Sequence, residues 1–379
     1  MIPSGVKAGK LYSIMPENGV GDFSATRNST ATRVNKDGLI ETVALYTPRL
    51  NYDLINGKPD SCPHYLLEPQ STNLITYSED FSQYNTISAS ATDNYDVSPD
   101  GTINASRFLT TSTGAYLYLS NINVSNSTVY TISVYAKSNG NNLDDFRIYT
   151  NLGDSSTLTA TSEWQRFTYT FTTSATQINV GFRPSGTQNA DIQVFGYQLE
   201  QQSYATSYIP TSGTTVTRAA DSANGAGDAS TFNSEQGILF LEVAALVNDA
   251  TVRLWSVSNG TTLNRVFLGF GGASNNIRFR VQVANVYQAE DDTTISDVTD
   301  FNKIALLYKE NNFKLYINGS LALSDTSGST FTSGTLDRFN FDSAAGSSIP
   351  YSKCKDLRYY DTEGMTDTEI DNLLTQLTQ

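Results

Sequence analysis

Histidine, cysteine and basic residues are scarce in this chain, and each shortage removes a class of function. His64 is the only histidine and sits in Cys62-Pro63-His64. A serine or cysteine triad needs an imidazole beside its nucleophile, and zinc needs three or four Cys, His or carboxylate ligands at suitable spacing, so neither is expected. Cys62 and Cys354 stand far apart; no disulfide framework is implied, and free, buried thiols are expected. Lys+Arg of 24 against Asp+Glu of 38 leaves a net charge of −14. Such a surface repels phosphate backbones and anionic lipid, which argues against nucleic-acid and membrane partners. The N-terminus lacks the apolar run of a secretory signal, and no segment approaches the roughly 20 apolar residues that cross a bilayer. Cytosolic synthesis of a soluble chain is the expectation.

What the sequence does have is period-two patterning. At 379 residues two or three domains are expected, at ~100 to 200 residues each. The reading is all-β: a small β-rich N-terminal module (1–74), a jelly-roll sandwich (75–221), a linker (222–232) rich in small and polar residues, and a second sandwich (233–379) ending in a short helix. In the first module, Asp37-Gly38 between ATRV and LIETV signals a hairpin, with further turns expected at 16–19 and 56–59. In the jelly roll, Tyr130, Ile132, Val134 and Ala136 form one inward set. Phe167, Tyr169 and Phe171 form a second, and Ile178, Val180 and Phe182 a third, with turn signals supporting about eight strands. In the last module Ile277, Phe279, Val281 and Val283, then Ile304, Leu306 and Tyr308, then Phe313, Leu315 and Ile317 alternate inward, and Asn318-Gly319 is a two-residue hairpin turn. Thr366 with Glu369 forms a capping box, and Ile370, Leu373, Leu374 and Leu377 make an apolar stripe expected to dock on the sandwich.

The chain turns on LLEPQSTNLITYSEDF (66–81), where Pro69 ends a strand and Ser78-Glu79-Asp80 caps the return of Phe81 to a core. This stretch resembles the joining segment of a family of bacteriophage virion proteins, in which it precedes a carbohydrate-binding-like β-sandwich. GKLYSIMPENGVGDFSATRNSTATRVNKDGLIETV is similar to the leader of that family, and VFGYQLEQQSYATSYIPTSGTTVTRAAD to the closing strand and exit arm of its sandwich. The family usually has Arg where Ser71 stands. FNKIALLYKENNFKLYINGSLAL resembles the laminin-G-like, concanavalin-type sandwich. The resemblance implies a virion-surface protein, a tail or head fibre or appendage, fixed to other virion proteins through its N-terminal module and commonly oligomeric, with a host glycan or protein as its outward partner. The alternatives are a structural decoration protein that binds nothing outside the shell, and a polysaccharide depolymerase.

Catalysis has little support in the residues. Glycoside hydrolysis needs only two carboxylates, but the last module lacks the Glu-x-Asp-x-x-Glu run of concanavalin-type glycosidases, and Glu242 stands alone among apolar neighbours. No Tyr/His or Tyr/Lys pair of the polysaccharide-lyase kind can be singled out, so no enzyme is expected. A structural calcium is conceivable at Asp96 and Asp100 or at Asp291 and Asp292, where oxygen ligands cluster, although both stretches also read as ordinary turns. Sugar binding needs flat apolar faces and fixed polar groups. With Val134 and Ile148 inward, Tyr135, Lys137, Arg147 and Tyr149, and Asn151 beyond, form the candidate glycan platform; the alternative is contact with another domain or subunit. Trp164 and Trp255 read as packing residues.

Overall fold

The computed structural model describes residues 22–379 other than Asn56, 141–142 and 187–188, with the backbone of two short strands at Gly5–Lys7 and Lys10–Tyr12. The expected turn at 16–19, the rest of the leader before residue 22 and Asn56 of the expected 56–59 turn lie outside the described residues. Among the described residues the fold is all-β with one α-helix, Asp367–Thr378.

Residues 85–200 form a jelly-roll sandwich of two five-stranded antiparallel sheets. The first runs edge to edge through Asn85–Ile87, Tyr116–Asn123, Gln177–Pro184, Asp144–Thr150 and Leu158–Ala160; the second through Ala89–Val97, Ile103–Thr110, Asp191–Glu200, Val129–Ser138 and Gln165–Thr172. Alternation sends every second side chain into the space between the sheets. Tyr130, Ile132, Val134 and Ala136 meet Ile148, Ile178, Val180 and Phe182 there, all buried, with Phe167, Tyr169 and Phe171 at the margin. Phe81 joins this core behind a short 3-10 turn capped by Asp80.

The second sandwich is discontinuous in sequence. Its seven-stranded sheet runs Ser320–Asp325, Phe313–Ile317, Asn302–Lys309, Gln236–Ala245, Ser352–Asp361, His64–Leu67 and Leu50–Asn51. Its nine-stranded sheet begins with the two N-terminal strands and Phe23–Thr26, then continues through Ser222–Ala226, Arg338–Asn340, Arg253–Ser258, Arg265–Phe270, Asn276–Val283 and Val286–Thr294. Phe23, Tyr65 and Leu67 share a buried core with Trp255, Phe279, Leu306 and Leu315. Much of the region expected as a separate N-terminal module is therefore part of this sandwich. The stretch expected as a linker carries the strand Ser222–Ala226, bonded to Phe23–Thr26 on one side and Arg338–Asn340 on the other. The jelly roll is an insertion into this second sandwich, which acts as its base.

Asn318 and Gly319 both have positive φ at the expected hairpin, as a two-residue turn of this hand requires. Thr366 and Glu369 form the capping box, and Ile370 and Leu374 bury against Ile238, Phe240, Ala305 and Leu307 on the outer face of the seven-stranded sheet. Cys354 is buried, but Cys62 is exposed because it lies in the loop before His64.

Entry to and exit from the jelly roll form a neck, where Ser71–Asn73 pairs antiparallel with Val216–Arg218. A buried ion network fills the base of this neck. Arg27 Nη1 lies 2.9 Å from Asp221 Oδ1, Arg49 Nη1 2.7 Å from Glu68 Oε2, and Arg218 Nη1 2.8 Å from the same oxygen. Arg49 also pairs with Asp221. Ser71 Oγ donates to the buried Glu200 carboxylate at 2.6 Å. Where the resembling family usually carries an arginine, a neutral hydroxyl meets this acid.

Candidate functional site

The hairpin of Ala31–Val34 and Ile40–Val43 belongs to neither sandwich. Ile40 packs against Tyr135, Phe195 and Tyr208 on the outer face of the second jelly-roll sheet. Tyr135 is thereby largely buried, with the Arg166 guanidinium 5.3 Å from its ring centre. Lys137 is committed to Asp96 at 3.0 Å and lies over the Trp164 ring. This part of the face is covered by the chain's own hairpin.

The outer face of the first sheet is built differently. Residues opposite one another across three adjacent strands form two rows: Tyr118, Gly181 and Tyr149, then Tyr116, Arg183 and Arg147. All five side chains are half-buried. Tyr149 stands edge-on to Tyr116 at 4.8 Å and to Tyr118 at 6.3 Å. The Arg183 guanidinium lies 5.0 Å from the Tyr116 ring centre and pairs with Asp154 at 3.1 Å. Arg147 donates to Ser185 Oγ at 3.2 Å and makes no ion pair among the described residues. Asn151 continues the surface by accepting the Asn179 N–H at 2.8 Å. Gly181 is required by close approach, because a Cβ there would sit 1.9 Å from the Leu117 carbonyl oxygen. No side chain therefore separates Tyr118 from Tyr149 within their row. Burial first, with Tyr116 adding, raises the Tyr149 hydroxyl above its ordinary pKa.

The expected platform thus splits between two sheets. Arg147, Tyr149 and Asn151 share the first face, whereas Tyr135 and Lys137 lie on the opposite side of the sandwich. Tyr116, Tyr118 and Arg183 complete the first face and were not singled out from sequence. The alternation of Tyr116 and Tyr118 with Leu117, and of Arg183 with Phe182, carried the signal.

The expected calcium residues are engaged elsewhere. Asp96 takes the Val97 N–H and Lys137, while Asp100 closes a turn by accepting from Ser98, Thr102 and Asn104. Asp292 is held below the usual carboxylate range by Arg278 first, with Arg280 also contributing. Asp291 accepts from Thr293 instead. Lys137 at Asp96, and Arg278 and Arg280 at Asp292, supply positive charge that calcium would otherwise supply, while Asp100 and Asp291 accept from neutral neighbours. Among the described residues, no group of three or more His, Cys, Asp or Glu side chains is arranged to hold a metal. His64 is buried within its sheet, with Asn51 and Asp53 as its polar neighbours; burial first drops its pKa to about 3.

No protein-family model matches this sequence, and no curated protein does. Among solved structures, the chain is similar to the N-terminal CBM22-1–CBM22-2 tandem domain of Paenibacillus barcinonensis Xyn10C, at 12% identity over 77% of this chain and 98% of that one, with a TM-score of 0.29. It is similar to domain 4 of AbnA, a GH43 extracellular arabinanase from Geobacillus stearothermophilus in complex with arabinotriose, at 15% identity over 42% and 73%, TM-score 0.32. Domains LG4-5 of the mouse laminin alpha1 chain match at 11% identity over 65% and 86%, TM-score 0.27. The two-sandwich assignment rests on the sheet orders and shared cores of this chain.

Proposed function

We propose that this chain is a non-catalytic glycan-attachment protein on the surface of a phage particle, acting through the tyrosine and arginine face of its jelly roll. The observation that carries the reading is that face: three tyrosines around a glycine gap, flanked by Arg147, Arg183 and Asn151, with the tyrosine and arginine side chains half-exposed. Aromatic rings offer flat apolar area to pyranose faces, and guanidinium and amide groups bond ring hydroxyls. The particle setting, with anchorage to other virion proteins and assembly as a homo-oligomer, draws on the sequence resemblance around 66–81. Many copies on one particle turn weak binding at each site into firm attachment. The non-enzymatic reading is supported by the enclosed position of His64 among Asn51 and Asp53.

The test is a glycan array probed with the wild-type chain and with Tyr118→Ala and Tyr149→Ala variants whose unfolding midpoints match the wild type. Signal lost in the variants supports the assignment; equal signal from all three removes it. Release of reducing ends or unsaturated sugars from host polysaccharide by the purified chain would replace attachment with depolymerisation.

A further inference from the structure

A second recess lies on the other side of the jelly roll, where the N-terminal hairpin, the exit arm at 204–208 and the base sandwich meet. It encloses about 280 Å³, near the lower limit of ligand pockets, which run from about 300 Å³ upward. That is room for one sugar ring, not a chain.

Most charges around it are already matched. Arg33 pairs with Glu41 at 2.6 Å and Lys353 with Asp53 at 2.8 Å, while Glu68 is held by Arg49 and Arg218. Arg166 is different. One of its Nη atoms donates to Ser133 Oγ at 2.9 Å, its Nε is buried with no hydrogen-bond partner, and it makes no ion pair among the described residues. Two phenols join it: Tyr135 and Tyr204 both line the recess, and neither hydroxyl makes a hydrogen bond among the described residues. By contrast, the Tyr208 hydroxyl is held by Ser78 and Glu79. A guanidinium without an ion pair and two phenols without hydrogen bonds thus line one small recess with aromatic walls.

A guanidinium with no ion pair lacks its strongest kind of acceptor, and a carboxylate supplies one through a charge-assisted hydrogen bond. Free phenol hydroxyls suit a polyhydroxylated ring. We infer that this recess binds a single carboxylated sugar, a hexuronate, with its carboxylate on Arg166 and its hydroxyls on Tyr135 and Tyr204. The site is separate from the tyrosine face and does not depend on it.

Calorimetric titration of the full chain with glucuronate, galacturonate, glucose and acetate tests this. At least one uronate is expected to bind more tightly than glucose by roughly tenfold to a hundredfold, the range of one charge-assisted hydrogen-bond set, and acetate is expected to bind weakly. Arg166→Gln should lose uronate binding by a similar factor, Tyr204→Phe should lose a smaller part, and Tyr149→Ala should leave it unchanged. Glucose binding as well as both uronates, acetate binding as well as either, or Arg166→Gln binding like the wild type overturns the inference. If Arg166→Gln fails to fold, the wild-type ranking of the four ligands decides. Because Tyr149→Ala removes the first face and Arg166→Gln the recess, failure at one site is distinguishable from failure at the other.

Discussion

Replacing Glu68 by glutamine probes the neck that joins the two sandwiches. The Glu68 carboxylate is buried between Arg49 at 2.7 Å and Arg218 at 2.8 Å, and Ser207 donates both its N–H and its hydroxyl to it. Burial alone pushes this acid up, but Arg218 and Arg49, aided by Ser207, outweigh burial and hold it at about 2 against an ordinary 4.5. At about 1.4 kcal/mol per pH unit, that difference contributes about 3 kcal/mol at neutral pH. Breaking one partner of a buried ion pair costs a similar ~3–5 kcal/mol. Because the folded pKa lies below the unfolded one, the contribution is fully present above pH 4.5 and is lost as pH falls through about 2. Glutamine keeps the shape and lacks the charge at every pH. Urea unfolding followed by intrinsic fluorescence should therefore show Glu68→Gln about 3 kcal/mol less stable at pH 7, with the gap closing between pH 4.5 and 2. Other acid-sensitive groups, including His64, titrate in both proteins and largely cancel from the difference. A gap below about 1 kcal/mol at pH 7, or one that stays constant down to pH 2, refutes the reasoning.

Two further outcomes follow from buried groups. Ser71→Ala strips one donor from the enclosed Glu200 carboxylate and should cost about 1.5–3 kcal/mol in the same urea assay, as hydrogen bonds to charged groups do; an unchanged midpoint sinks the assignment of Ser71 as a partner of that acid. A thiol reagent should modify one cysteine in the folded chain, Cys62, and reach Cys354 only on unfolding, because Cys354 is enclosed and burial first pushes its thiol up to about 12. Two fast-reacting thiols in native protein would contradict the buried position of Cys354.

Local features of the fold were legible where sequence neighbours decide them. Inward sets such as Ile132 and Val134, or Ile304 and Leu306, follow from alternation alone. The Asp37-Gly38 and Asn318-Gly319 turns follow from the positive φ their glycines accept, and the helix start from the Thr366–Glu369 pair. Pairing over long sequence distance was not legible. Ser222–Ala226 reads as a linker because its residues are small and polar, yet Ala223 and Ala226 are buried between sheets closed by strands from both ends of the chain. The same limit governed the expected glycan platform. Alternation tells which side of its own strand Tyr135 or Tyr149 occupies, but not that their strands lie in different sheets, so one expected platform became two surfaces.

The neck also makes the jelly roll an exchangeable cassette. Its two connecting strands lie side by side, roughly 5 Å apart, and run in opposite directions. One contiguous stretch of coding sequence can therefore be traded for another whose ends are similarly close, without disturbing the sheets beneath. A pedestal of this design allows the inserted sandwich to diversify while the base that carries it stays the same.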